Sequence, residues 1–125
     1  MTNNGTEKNS ENICDVSYLT EMMHGKKHLI KEIMDEFLQQ IHEELQCVND
    51  AIKNANYPVI KNYAHSMKSS VSIMGITILT PILQEMEDLG TKAADIETIT
   101  ELNHSLNLYC IQAIKEIEII KHNYV

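Results

Sequence analysis

From Leu29 to Ile52 apolar side chains recur at intervals of three and four: Leu29, Ile30, Ile33, Met34, Phe37, Leu38, Ile41, Leu45, Val48 and Ile52. On a helix this spacing gathers them into one stripe, whereas on a strand it would scatter them over both faces. One long amphipathic helix is therefore expected from about Lys26 to the Asn54–Asn56 break. The same rhythm recurs downstream. Asn56 is a cap and Pro58 a first-turn residue for a helix carrying Ile60, Tyr63, Ala64, Met67, Val71 and Met74 up to Gly75. A fourth helix should begin between Ile76 and Pro81 and end at Gly90. Asp95, or the capping box Thr98-x-x-Glu101, announces a last helix bearing Ile99, Leu102, Leu106, Tyr109, Ala113, Ile117 and Ile120. In front of these, Asp15 or Ser17 caps a short helix with Tyr18, Leu19, Met22 and Met23, closed by Gly25.

No segment alternates with period two, so the fold class is all-α: an antiparallel four-helix bundle with a short additional N-terminal helix. A chain of 125 residues supports one core. With one Phe and no Trp, that core must be built from Leu, Ile, Val and Met. Residues 1–12 carry nothing to bury and are expected to form a polar tail ahead of a domain at 13–125.

The net charge of −8 would repel a phosphate backbone, which argues against nucleic acid as a partner. All ten basic residues are Lys, so a bidentate guanidinium grip on an anion is not available. Cys14, Cys47 and Cys110 lack the spacing of a disulfide framework or a zinc site and read as reduced thiols. The polar N-terminus and the lack of a membrane-length apolar run lead to the expectation of a cytoplasmic protein with no membrane contact.

On the third helix Ile60, Ala64, Met67, Val71 and Met74 mark the buried stripe, and His65 lies roughly 140° from it. The imidazole is expected to be exposed, with Lys61, Lys68, Ser69 and Ser72 as its helical neighbours. From Ala51 to Gln84 there is no Asp or Glu, although the chain has 18 of them. Acid is thus expected to be kept away from this face. An exposed imidazole is nucleophilic through a neutral ring nitrogen. Nearby ammonium groups would offset charge on a phosphoryl group it accepted, and small neighbours would let another protein approach.

The run Ala64-His65-Ser66-Met67-Lys68-Ser69-Ser70-Val71-Ser72-Ile73-Met74-Gly75 resembles the phosphoacceptor helix of histidine-containing phosphotransfer (HPt) domains. The similarity extends from about Ile13 to Ile120 and includes the Asp15-to-Leu19 opening and the Leu83-to-Leu89 segment. Two positions depart from the family pattern: Ser69 stands where Gly is usual, and Ser72 where another small residue is typical. The resemblance implies a phosphocarrier rather than an enzyme, with His65 the acceptor and Lys68 its supporting cation. It implies partners that are response-regulator receiver domains, a hybrid histidine kinase, or both. No cofactor of its own is implied, since the receiver brings Mg²⁺. Lys61, Ser69 and Ser72 would then border the docking face of a monomeric module.

Two other readings compete. A receiver-binding adaptor that carries no phosphate would keep this fold, but it has no need of both His65 and Lys68. Glu21-x-x-His24 and Glu101-x-x-His104 match the Glu-x-x-His element of di-iron bundles. Both pairs lie well off their helices' apolar stripes, however, and iron ligands must converge inside. His24 and His28 have a metal pair's spacing, which Gly25 interrupts.

Overall fold

The computed structural model describes residues 12–124, so the expected polar tail lies outside the described residues except for Asn12. The described chain contains a short helix, α1 (Ser17–Met22), and four long ones: α2 (Lys27–Lys53), α3 (Tyr57–Ile73), α4 (Leu79–Lys92) and α5 (Ile96–His122). No strand occurs among the described residues. Each long helix packs on the next, and α5 closes back on α2, which makes a four-helix bundle. Short connections reverse the chain between successive helices.

Each long helix buries the face its periodicity marks. α2 buries Ile30, Met34, Phe37, Leu38, Ile41, Leu45 and Val48, and α3 buries Ile60, Ala64, Met67 and Val71. α5 contributes Ile99, Leu106, Cys110, Ala113 and Ile117. Leu19 of α1 is fully buried and pins that helix to the bundle. The interface of α2 with α5 also holds a polar cluster. Asn49 Oδ1 accepts from Asn103 Nδ2 at 2.7 Å and from Asn107 Nδ2 at 3.2 Å, which ties the register of the two helices to specific partners.

The ends follow local chemistry. Asn56 accepts from the Val59 N–H at 3.3 Å and Pro58 sits in the first turn, so α3 starts where the sequence places it. Asp95 caps α5 by accepting from the Thr98 N–H at 3.3 Å, which decides between the two signals there. The end of α4 corrects the sequence-based boundary. The helix passes through Gly90 to Lys92, and Ala93, at φ +52°, takes the left-handed position that glycine was expected to fill. Gly90 is instead a buried interior residue whose bare Cα lies against the backbone of Lys61. Its role is close approach of α4 to α3, not termination.

Candidate functional site

The site forms where α3 and α4 run side by side in opposite directions. Three rungs fix the register: Gly90 packs on Lys61, Glu87 reaches His65, and Gln84 reaches Lys68. Because α3 commits Ala64 and Met67 to the core, His65 is turned outward, and its side chain is 68% exposed. Lys68, one turn on, is half-buried, because its ammonium is drawn toward α4.

Glu87 joins the two. Its Oε2 lies 2.9 Å from His65 Nδ1 and its Oε1 lies 2.6 Å from Lys68 Nζ. Lys68 Nζ also donates to Gln84 Oε1 at 2.8 Å, and Gln84 Nε2 donates to Asp88 Oδ1 at 3.0 Å. The Lys68 ammonium, and to a lesser degree the His65 contact, hold the Glu87 carboxyl below its ordinary range, against the opposing effect of desolvation. An ionised carboxylate only accepts, so the proton in the His65 contact belongs to Nδ1. In a neutral ring, Nε2 then keeps its lone pair and faces away from Glu87.

This corrects the expectation that acid is kept away from the face. The acid-free window in the sequence is real, yet a carboxylate arrives from the opposing helix, three residues beyond its end. Glu87 is the residue that sequence reasoning missed. A signal existed: Leu83, Met86 and Gly90 are buried, and Glu87 lies one turn from both Leu83 and Gly90, so an acid borders the core-facing stripe of α4.

The remaining expected positions fall on the same side of the molecule. Lys61, Ser69 and Ser72 are exposed along α3. Tyr18 of α1 joins Lys68, Ser69, Ser72 and Ile73 in lining a shallow groove beside the histidine. Glu21, His24, Glu101 and His104 are exposed, so neither Glu-x-x-His pair turns into the bundle. Left-handed residues at His24 and Gly25 separate His24 from His28. Cys110 is buried in the core, where desolvation pushes its thiol up to about 12; such a thiol is a packing group rather than a nucleophile. Among the described residues no helix is long and apolar enough to cross a membrane.

His65 thus presents an exposed imidazole, held by a carboxylate from the neighbouring helix, on the outer face of the bundle. The family model described as the Hpt domain matches residues 32–116, and the chain belongs to the Hpt domain family. Its structure is similar to the crystal structure of histidine-containing phosphotransfer protein B (HptB) from Pseudomonas aeruginosa PAO1. The TM-score is 0.83 at 16% identity, over 92% of this chain and 99% of that one, a likeness of fold. No curated protein matches the chain at the level of sequence. Membership of the family makes this a histidine phosphotransfer protein of phosphorelay signalling, and its members are phosphocarriers acting with receiver domains and histidine kinases.

Proposed function

We propose that His65 is the phosphoacceptor and that its Nε2 takes a phosphoryl group from an aspartyl phosphate of one receiver domain and passes it to another. The observation that carries this reading is the orientation of the ring: Nδ1 is tied to Glu87 at 2.9 Å while the rest of the imidazole faces solvent.

In the forward step the Nε2 lone pair attacks phosphorus, a phosphorus–nitrogen bond forms, and the phosphorus–oxygen bond to the aspartyl carboxyl breaks. The electron pair returns to the receiver's carboxylate. The ring keeps its Nδ1 proton throughout and so acquires positive charge, which the Glu87 carboxylate offsets. Lys68 stands one turn away to meet the phosphoryl oxygens, and Gln84 retains its ammonium near the site in the resting state. The return step is the same path reversed. Mg²⁺ belongs to the receiver's acidic pocket, and this chain contributes positioning and charge without a cofactor of its own. The protein therefore acts as a carrier whose chemistry is shared with its partner, a receiver domain or a hybrid histidine kinase, in the cytoplasm and as a monomer. Ser69 and Ser72 keep the approach to His65 open, and Lys61 borders it.

The test is His65→Gln. The exposed position contributes little to folding, so the variant should keep helical circular dichroism and lose all phosphoryl incorporation. Wild-type label should be acid-labile and base-stable. A folded His65→Gln protein that still takes label would sink the assignment.

A further inference from the structure

Ahead of α1 the chain crosses from the C-terminal half of α5 to the corner at Gly75; Ile13, Cys14 and Val16 pack against the core, the Cys14 thiol donates to the Ala113 carbonyl at 3.8 Å, and one carboxylate takes the backbone amides. Glu116 of α5 accepts from the Ile13 N–H at 3.0 Å and from the Cys14 N–H at 2.9 Å. The Ile13 N–H is shared between both carboxylate oxygens, and Gln112 Nε2 donates to Oε2 at 2.8 Å and holds the group in place. These two amides precede the first turn of α1, so no helical carbonyl is available to them; the Glu116 carboxylate is the acceptor they have. Two residues on, the Asp15 backbone lies on the bare Cα of Gly75, where any side chain would collide with it. The strap is thus fastened at one end by hydrogen bonds and fitted at the other by shape.

The helix beyond the strap gives the fastening a consequence. α1 has six residues, too few to hold its own orientation in water, and it is fixed by the buried Leu19 on one side and by the strap on the other. On its outer side is Tyr18, 57% exposed, in the groove with Lys68, Ser69, Ser72 and Ile73. A protein brought close enough to react with His65 covers Ser69, one turn away, and so meets the ring of Tyr18. A tyrosine carried on a helix that is already fixed is an effective anchor, because less backbone freedom remains to be lost on docking.

We propose that Glu116 is a positioning residue for receiver docking: by latching residues 13 and 14 to α5 it holds α1 so that Tyr18 is presented beside the Lys68–Ser72 face. The latch sets affinity for the partner and leaves the chemistry at His65 untouched. This rests on the reading of the His65 face as the docking face, and the test separates the two.

The full chain is compared with its Glu116→Ala, Glu116→Gln, Tyr18→Ala and doubly substituted Glu116→Ala/Tyr18→Ala forms. Two phosphodonors are used: a receiver domain charged with acetyl phosphate and chosen because wild type accepts from it, and phosphoramidate, which needs no docking surface. Glu116→Ala should raise KM for the receiver about three- to tenfold with kcat unchanged, and should leave the phosphoramidate rate at the wild-type value. The Ile13 and Cys14 amides should exchange faster with solvent in that variant. Glu116→Gln keeps a carbonyl oxygen for the strap and should restore most of the affinity. Tyr18→Ala, at an exposed position, should reproduce the KM effect, and the double variant should lose less than the product of the two. A wild-type receiver KM in Glu116→Ala, an equal loss with phosphoramidate, or full multiplicativity of the two substitutions overturns the latch. Label persisting in His65→Gln overturns the acceptor assignment instead.

Discussion

Replacing Gly90 with Ala tests whether the spacing of α3 and α4 assembles the site. A Cβ on Gly90 would lie 3.1 Å from the backbone N of Lys61 and 3.2 Å from its Cα and Cβ. These are mostly main-chain atoms of a helix interior, which cannot rotate aside, so the two helices must part by a few tenths of an ångström. Overpacking of this kind costs about 1–3 kcal/mol. The exchange of Gly for Ala within a helix returns about 1 kcal/mol. The expected result is a net loss of about 1 kcal/mol, read as a fall in Tm of about 3–6 °C for a domain of this size. The functional effect should exceed the thermal one, because the His65–Glu87 rung lies one turn from Gly90 and a hydrogen bond of 2.9 Å tolerates little stretching. Imidazole ¹⁵N spectra should show Nδ1 of His65 losing its bound proton signature, and phosphoryl transfer should slow. If Gly90→Ala raised Tm and left both the Nδ1 signal and the transfer rate unaltered, the close approach would not be what sets the site geometry.

The same contacts lead to three further expected outcomes. Lys68→Ala should slow transfer in both directions by about tenfold, the equivalent of one charge-assisted contact of about 1.4 kcal/mol, and should lower Tm at neutral pH because Glu87 loses its ion pair; stopped mixing with a labelled receiver measures the rate. Ser69→Tyr should weaken receiver binding and transfer together while costing the fold no more than about 0.5 kcal/mol, and calorimetric titration beside His65→Gln, which should still bind, separates docking from chemistry. The carboxyl of Glu87 is lowered in the folded protein, so its contribution to stability is present above the ordinary carboxylate range and is lost as pH falls through the lowered native value. Glu87→Gln should therefore reduce the difference in Tm between neutral and strongly acidic pH, and an unchanged difference would mean that its pairing with Lys68 contributes nothing.

The parts of this molecule legible in its sequence are those governed by neighbours along one helix. Periodicity marked Ile60, Ala64, Met67 and Val71 as buried, and the outward turn of His65 came from the same count. The α3 cap at Asn56 was equally readable, because the acceptor and the amide it satisfies are three residues apart. The end of α4 was not, because Ala93 adopts a left-handed conformation at φ +52° that nothing in its side chain announces. Gly90 misled for the complementary reason: a glycine that ends a helix and a glycine that admits another helix look alike until the partner is in place.

Glu87 shows where reasoning along a single helix stops. The stretch from Ala51 to Gln84 lacks acid, and a face judged by its own helix would be purely basic. Antiparallel pairing instead matches His65 with Glu87 and Lys68 with Gln84, so the charge at the site is set by residues about 20 positions away in sequence. One carboxylate on the Nδ1 side differs in effect from acid spread along α3. Carboxylates at Lys61 or Ser69, one turn from His65 on its own helix, would repel an incoming phosphoryl group. A carboxylate at Glu87 meets the opposite edge of the ring, fixes the proton there, and leaves Nε2 as the nitrogen with an available lone pair. With His65 as the proposed acceptor, the emptiness of α3 and the presence of Glu87 form one arrangement: repulsion is absent on the side where a phosphoryl group would arrive, and negative charge sits on the side where the ring would become positive.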